Sequence, residues 1–393
     1  MIDRVLFTTV ILLMGFALIM TYSLSVYTVI YNSSGEFSFF IRQLIAVFFG
    51  IGVMLYLSTL DPDKWFVKIG LTLFIVFLLI MIIMPFLPSS LVSATGGAKR
   101  WISLGFIKIS PVEFFKIGFV FFISWSFSRK LLHRQNMSFK EELLAYLPYL
   151  FVFMIAVILI AVIQKDLGQT MVLGLTLMIM LFFSGSSLKF FFSLIGVGLV
   201  GMIVLIKIAP HRITRILEWW AGVQDPVLLA LPFDWLESLR VDMISKEPYQ
   251  VSNSLNAINH GGIFGTGLGN GQFKLGYLSD IHTDFVLAGI TEEFGFIGLI
   301  GVTFAIMLII FRLFRMAGRL NNSVYSLFAV GIGLLIGFSF IINSFGIAGI
   351  TPVKGIAVPF VSYGGSQILA LCVAMGMVLM ISKKAHSERK EAL

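Results

Sequence analysis

Ten runs of about 20 mostly apolar residues follow one another along this 393-residue chain, and that length is what a helix needs to cross the hydrocarbon core of a bilayer. They lie near 5–27, 38–58, 66–87, 111–128, 144–163, 169–185, 188–209, 284–311, 323–345 and 358–382. The predicted fold is an all-α polytopic integral membrane protein of about ten transmembrane helices, reading as one membrane domain over 1–393. Charge usage agrees: 12% of residues are charged, against roughly 25% in soluble domains, so most of the chain does not face water. The first run starts at Val5 and passes twenty residues without a small-residue cleavage site, so an uncleaved first span is expected rather than a signal peptide.

The formal charge of +8 does not imply a nucleic-acid partner, because the basic residues sit in short loops between apolar runs rather than in a patch. With the N-terminus inside, the cytoplasmic segments hold about 15 Lys and Arg, Arg129, Arg312, Arg315, Arg319 and Lys383 among them, against about five in the short outer loops. Both termini are therefore predicted to be cytoplasmic. The long segment 210–283, between the seventh and eighth spans, is then extracytoplasmic.

That segment is too long for an idle connection. Its first part carries Trp219, Trp220 and Trp235 among charged residues, as an interfacial amphipathic stretch would. Its second part, 261–271, holds six glycines among eleven residues and cannot form a stable helix. With no strand before it and no helix after it, the run is not a nucleotide-binding fingerprint. No P-loop motif occurs either, so ATP-driven transport lacks support. The single cysteine, Cys372, excludes an intramolecular disulfide or a Cys-based metal site, and the five histidines show no ligand spacing.

Ionised side chains inside the bilayer need a partner, a water-filled cavity or a function. Glu113 and Lys116, three residues apart in the fourth span, share one helix face and are read as a structural ion pair, with a direct substrate role as the alternative. Glu292 and Glu293 lie about two turns below Asp284 in the eighth span, pointing different ways, so at least one should face the bundle interior. A second polar set gathers on the predicted outer face: Lys99, Arg100 and Trp101, Gln164 and Asp166, Lys274 and His282, and Lys354. Cations with carboxylates suit an anionic headgroup combined with proton transfer.

These residues carry a resemblance. Gly97-Ala98-Lys99-Arg100-Trp101, Gln164-Lys165-Asp166-Leu167-Gly168, the run from Gly261 through Gly271 to His282-Thr283-Asp284-Phe285 and Glu292-Glu293-Phe294-Gly295, then Pro352-Val353-Lys354-Gly355 and Pro359-Phe360-Val361-Ser362-Tyr363-Gly364-Gly365 occur in that order. The chain resembles, over essentially its whole length, the shape, elongation, division and sporulation family of RodA, FtsW and SpoVE. Two positions depart from the pattern: Ser110-Pro111-Val112-Glu113 stands where the family usually reads Q-P-S-E, and Lys165 replaces the usual proline of Q-P-D-L-G. Within the family, Lys354 and the Gly269-Asn270 step look more like the division member than the elongation member.

The resemblance implies polymerisation of lipid II, a disaccharide-pentapeptide on undecaprenyl pyrophosphate, at the outer face of the bacterial cytoplasmic membrane. It implies a class B penicillin-binding protein and other divisome proteins as partners. Asp284 would be the catalytic carboxylate, and Lys99, Arg100, Trp101, Asp166, Lys274 and Lys354 would bind substrate. No cofactor is assigned; a divalent cation, Mg²⁺ or Mn²⁺, could share the pyrophosphate charge and is given no position. Three alternatives stay open on the sequence alone: a transporter that flips lipid II, an elongation-type polymerase, and a non-catalytic scaffold.

Overall fold

The computed structural model describes residues 2–26, 29, 35, 37–88, 90–95, 98–104, 107–130, 137–230, 240–241 and 249–391. Trp235 lies outside the described residues. Helices occupy all ten predicted runs: α1 (Arg4–Leu24), α2 (Ser38–Thr59), α3 (Pro62–Ile83), α4 (Pro111–Lys130), α5 (Phe139–Val157), α6 (Leu167–Phe183), α7 (Leu188–Lys207), α10 (Val286–Ala317), α11 (Ser323–Ile347) and α12 (Gly365–Glu391). Two more, α8 (Pro210–Ala230) and α9 (Tyr249–Gly261), give structure to the long segment between α7 and α10. Eight of the ten are long and apolar enough to cross a membrane by themselves. Of the other two, α4 is made less apolar by Glu113 and Lys116, and α6, at 17 residues, spans about 25 Å.

The helices differ in how far they enter the core. In α12 72% of the apolar stretch is buried and in α11 61%, whereas α7 buries 6% and stands at the periphery with lipid-facing side chains. α12 packs along α2, where Gly50 leaves room for Cys372: a Cβ at Gly50 would lie 2.7 Å from its Sγ. Small residues let membrane helices approach closely where no hydrophobic effect drives them together. On the predicted inner side Asp3 caps α1 through the Leu6 N–H and receives the Arg312 guanidinium at 2.6 Å, tying the N-terminus to the end of α10.

The helical membrane fold is as expected, with one small sheet added. Between α3 and α4 lies a three-stranded antiparallel sheet, β1 (Val92–Thr95), β2 (Ala98–Leu104) and β3 (Ile107–Ile109), in the order β1-β2-β3, with Val92 opposite Ile102 and Ile102 opposite Ile109. Strands of three to seven residues are too short to leave a periodic signal beside apolar runs three times as long. The sheet aims side chains. Neighbouring strand residues point to opposite faces, so Lys99 turns to the end of α3, donating to the Pro85 and Leu87 carbonyls at 2.8 and 2.9 Å, while Arg100 turns the other way.

Two irregular helices shape the rest. α5 ends in a π-helical turn, Ile158–Ile163, followed by a tight turn in which Lys165 has φ +53°. α10 is broken at Gly295, φ +68°, and the glycine run 261–267 fills the gap. Thr266 and Gly267 N–H donate to the Glu292 and Glu293 carbonyls at 2.9 and 3.0 Å, and Phe296 N–H donates to the Gly262 carbonyl at 2.9 Å. The loop thus supplies hydrogen bonds that the interrupted helix lacks, as a broken helix in a membrane protein requires. Backbones this close exclude side chains at Gly265 and Gly295, where a Cβ would strike the opposing chain.

Candidate active site

A cavity of about 570 Å³ opens where β2, the α5–α6 turn, the start of α8 and the loops before α10 and α12 converge. That volume lies within the usual range for a ligand site. Arg100, Asp166, Asp284 and Lys354, four residues expected from the sequence, line it together. So do Arg212 and Arg215, which open α8 three residues apart and were read only as part of an interfacial stretch. Their spacing on one helix face was the available signal.

Asp284 sits two residues before α10, and its backbone is held from three sides. Asn343 Nδ2 donates to its carbonyl at 2.6 Å and to the Ile356 carbonyl at 2.7 Å, Ser362 Oγ donates to the Thr283 carbonyl at 2.6 Å, and Tyr363 N–H donates to the His282 carbonyl at 2.9 Å. The segment 359–365 therefore clamps the segment 282–285. The carboxylate itself accepts no hydrogen bond among the described residues, and the residue at the α10 N-cap is Phe285, which makes no side-chain cap. Gly355 leaves the space beside it open, since a Cβ there would lie 3.0 Å from Oδ2. Burial, then the negative charges of Asp280 and Asp166, push the Asp284 carboxyl up from 3.8 to about 7, against the opposing pull of Arg100 and Arg215.

The surrounding groups are perturbed in consistent directions. Burial raises Asp166, which also caps α6 through the Gln169 N–H at 3.1 Å, and Arg100 partly offsets that rise. Burial and the nearby Arg215 and Arg212 lower Lys354. Burial lowers His282 as well; it is enclosed by the rings of Phe39 and Tyr363, with Nδ1 unpartnered among the described residues.

Three residues expected to bind substrate do not line this cavity. Lys99 caps the 3-10 turn that follows α3, and Trp101 stays in the sheet opposite Ser93. Lys274 is buried beneath the glycine loop, its Nζ 2.7 Å from Glu293 Oε1 and 3.0 Å from Ser23 Oγ, because a buried carboxylate at the α10 break requires a cation. Glu292 is also buried; its Oε1 accepts the Gln272 and Phe273 N–H groups at 2.6 and 3.2 Å and lies 3.1 Å from His260 Nδ1. Both glutamates thus anchor the loop. Glu113 and Lys116 are 2.9 Å apart in α4, and Gln169 bridges them, accepting from Lys116 at 2.6 Å and donating to Glu113 at 2.9 Å.

Among the described residues no three His, Cys, Asp or Glu side chains come together to hold a metal ion. A divalent cation would have to draw most of its ligands from substrate phosphate and water.

The fold and the cavity define a multi-pass helical membrane protein with a charged, open cavity, where a carboxyl group poised near neutrality lies among several cations. The chain belongs to the FtsW/RodA/SpoVE family, whose model, described as cell cycle protein, matches residues 3–387. It is 48% identical over 384 residues to the probable peptidoglycan glycosyltransferase FtsW of Helicobacter pylori strain J99, covering 97% of this chain and 98% of that one. It is 32% identical over 386 residues to stage V sporulation protein E of Bacillus subtilis, covering 97% of each. Its fold matches, with a TM-score of 0.73 at 21% identity and 98% coverage of both chains, a chain from a solved structure titled structural coordination of polymerization and crosslinking by a peptidoglycan synthase complex.

Proposed function

We propose that this chain is a peptidoglycan glycosyltransferase that polymerises lipid II at the outer face of the cytoplasmic membrane, in cell division. The carrying observation is Asp284: a carboxyl held by its backbone, free of protein hydrogen bonds among the described residues, and poised near 7 in a cation-lined cavity. A base works best with its pKa near the operating pH. In the step proposed, Asp284 takes the proton from a sugar hydroxyl as that oxygen bonds to the anomeric carbon of a lipid-linked sugar. The bond from that carbon to pyrophosphate breaks, and the pyrophosphate leaves with the bonding pair toward the cavity cations, Lys354 among them. A divalent cation, if bound, would share the leaving-group charge.

The reading carries an orientation, with both termini cytoplasmic and the segment 210–283 outside. It also carries partners: a class B penicillin-binding protein that cross-links the product, and other divisome proteins. The match to a chain of a peptidoglycan synthase complex supports the first. Purified protein, with and without that partner, incubated with labelled lipid II in detergent should yield glycan polymer. Absence of polymer in every condition, with lipid II moved across reconstituted bilayers, would replace the enzyme by a transporter.

A further inference from the structure

Lys165 and Phe360 are the two non-glycine residues with positive φ among those described, and Lys165 lies on the cavity wall. Its turn is held on both sides. Asp166 N–H donates to the Ile160 carbonyl at 2.9 Å, and Arg100 donates from Nε to the Gln164 carbonyl at 2.7 Å and from Nη2 to the Lys165 carbonyl at 2.9 Å. A left-handed lysine is strained where glycine would not be. Proline is excluded, since its ring fixes φ near about −65°. A strained residue in an over-determined turn at a site points to a role for its side chain.

The cavity cations fall into two groups. Arg100 donates to two backbone carbonyls and pairs through Nη1 with Asp166 at 4.0 Å, and Arg212 donates to the Leu205 and Ala161 carbonyls, so both serve as fasteners of the wall. The side chains of Lys165, Arg215 and Lys354 make no hydrogen bond or ion pair among the described residues. Three uncommitted cations exceed the need of a single phosphodiester and suit two adjacent phosphates.

We propose that Lys165 is a diphosphate-binding residue of this cavity, reaching from the α5–α6 turn to the pyrophosphate of the lipid-linked substrate together with Arg215 and Lys354. This rests on the proposed glycosyltransferase reading and adds to it a ligand residue at the position where the family motif usually has proline.

Geranyl diphosphate, a soluble prenyl diphosphate, is the probe for wild type, Lys165→Gly and Lys165→Arg in detergent. Lys165→Gly removes the charge and the strain at once, so it should raise thermal stability yet weaken geranyl diphosphate binding about tenfold, the usual size of one lost charge-assisted contact. Lys165→Arg should bind within about threefold of wild type. With lipid II, Lys165→Gly should lower kcat/KM by a similar factor, since the same cation holds the pyrophosphate as it leaves. Equal geranyl diphosphate affinity of wild type and Lys165→Gly, or no binding by wild type, overturns the proposal. Equally strong competition by phosphatidylglycerol overturns it too, since the cation would then serve bulk headgroups. A wild type that binds the probe but never polymerises lipid II would sink the enzyme reading while the binding comparison still decides Lys165.

Discussion

The ammonium of Lys274 lies 2.7 Å from Glu293 Oε1, both side chains are buried, and the pair closes the glycine loop over the break in α10. Removing one member would leave the other charged in a low-dielectric site, at a cost of about 3 to 5 kcal/mol. Lys274→Ala should therefore lower the thermal unfolding temperature in detergent markedly. The double replacement of Lys274 and Glu293 by Met should recover most of the loss, because it removes both charges and keeps the volume. A Lys274→Ala protein as stable as wild type, with only a raised KM, would return Lys274 to the substrate.

Glu113, Lys116 and Gln169 form a second buried polar set, joining α4 to α6. Glu113→Ala should reduce stability and activity together. Glu113→Lys combined with Lys116→Glu should restore part of both, since the Gln169 amide can turn over to meet either charge order. A stable but inactive Glu113→Ala would instead give that carboxylate a direct role.

What could be read from the sequence follows from the range of each interaction. Bilayer thickness imposes run length, so ten helices were visible, and Glu113 with Lys116 was visible because their spacing is local. Asp284, Arg100, Asp166 and Lys354, which share the cavity, were singled out because their motifs occur in family order. The partner of Lys274 was hidden: Glu293 is nineteen residues away, across a loop whose path depends on the break at Gly295. Arg212 and Arg215 were hidden in an amphipathic stretch whose basic residues could equally have met lipid phosphates. The sheet that turns Lys99 away and Arg100 inward left no periodic trace.

Topology can be tested against a silent background, because the one native cysteine, Cys372, is fully buried. Leu268→Cys, 53% exposed in the glycine loop, should react with a membrane-impermeant maleimide in cells whose outer layers have been opened. Arg315→Cys, exposed near the end of α10, should react only after the cytoplasmic membrane is permeabilised. The reverse pattern would invert the protein and place the cavity on the cytoplasmic side.

Asp284→Asn separates catalysis from structure because no helix cap is at stake: α10 has no side-chain cap at its start. The amide keeps the shape and cannot serve as a base at neutral pH, so lipid II polymerisation should fall by about 10² to 10⁴-fold. Wild-type activity should rise with pH through about 7, where the carboxyl ionises, and flatten above. Stability should move oppositely. The folded protein holds this proton more tightly than the unfolded chain, so the resulting stabilisation is complete below 3.8 and is lost as pH rises through about 7. Asn mimics the neutral form, so the unfolding temperature of Asp284→Asn should equal that of wild type in acid and exceed it increasingly up to neutral pH. Thermal unfolding and polymerisation, measured on the same preparations across pH, read both effects. Near wild-type turnover in Asp284→Asn would remove the carboxylate from the chemistry and move the search for the base to Asp166 or Asp280, which line the same cavity.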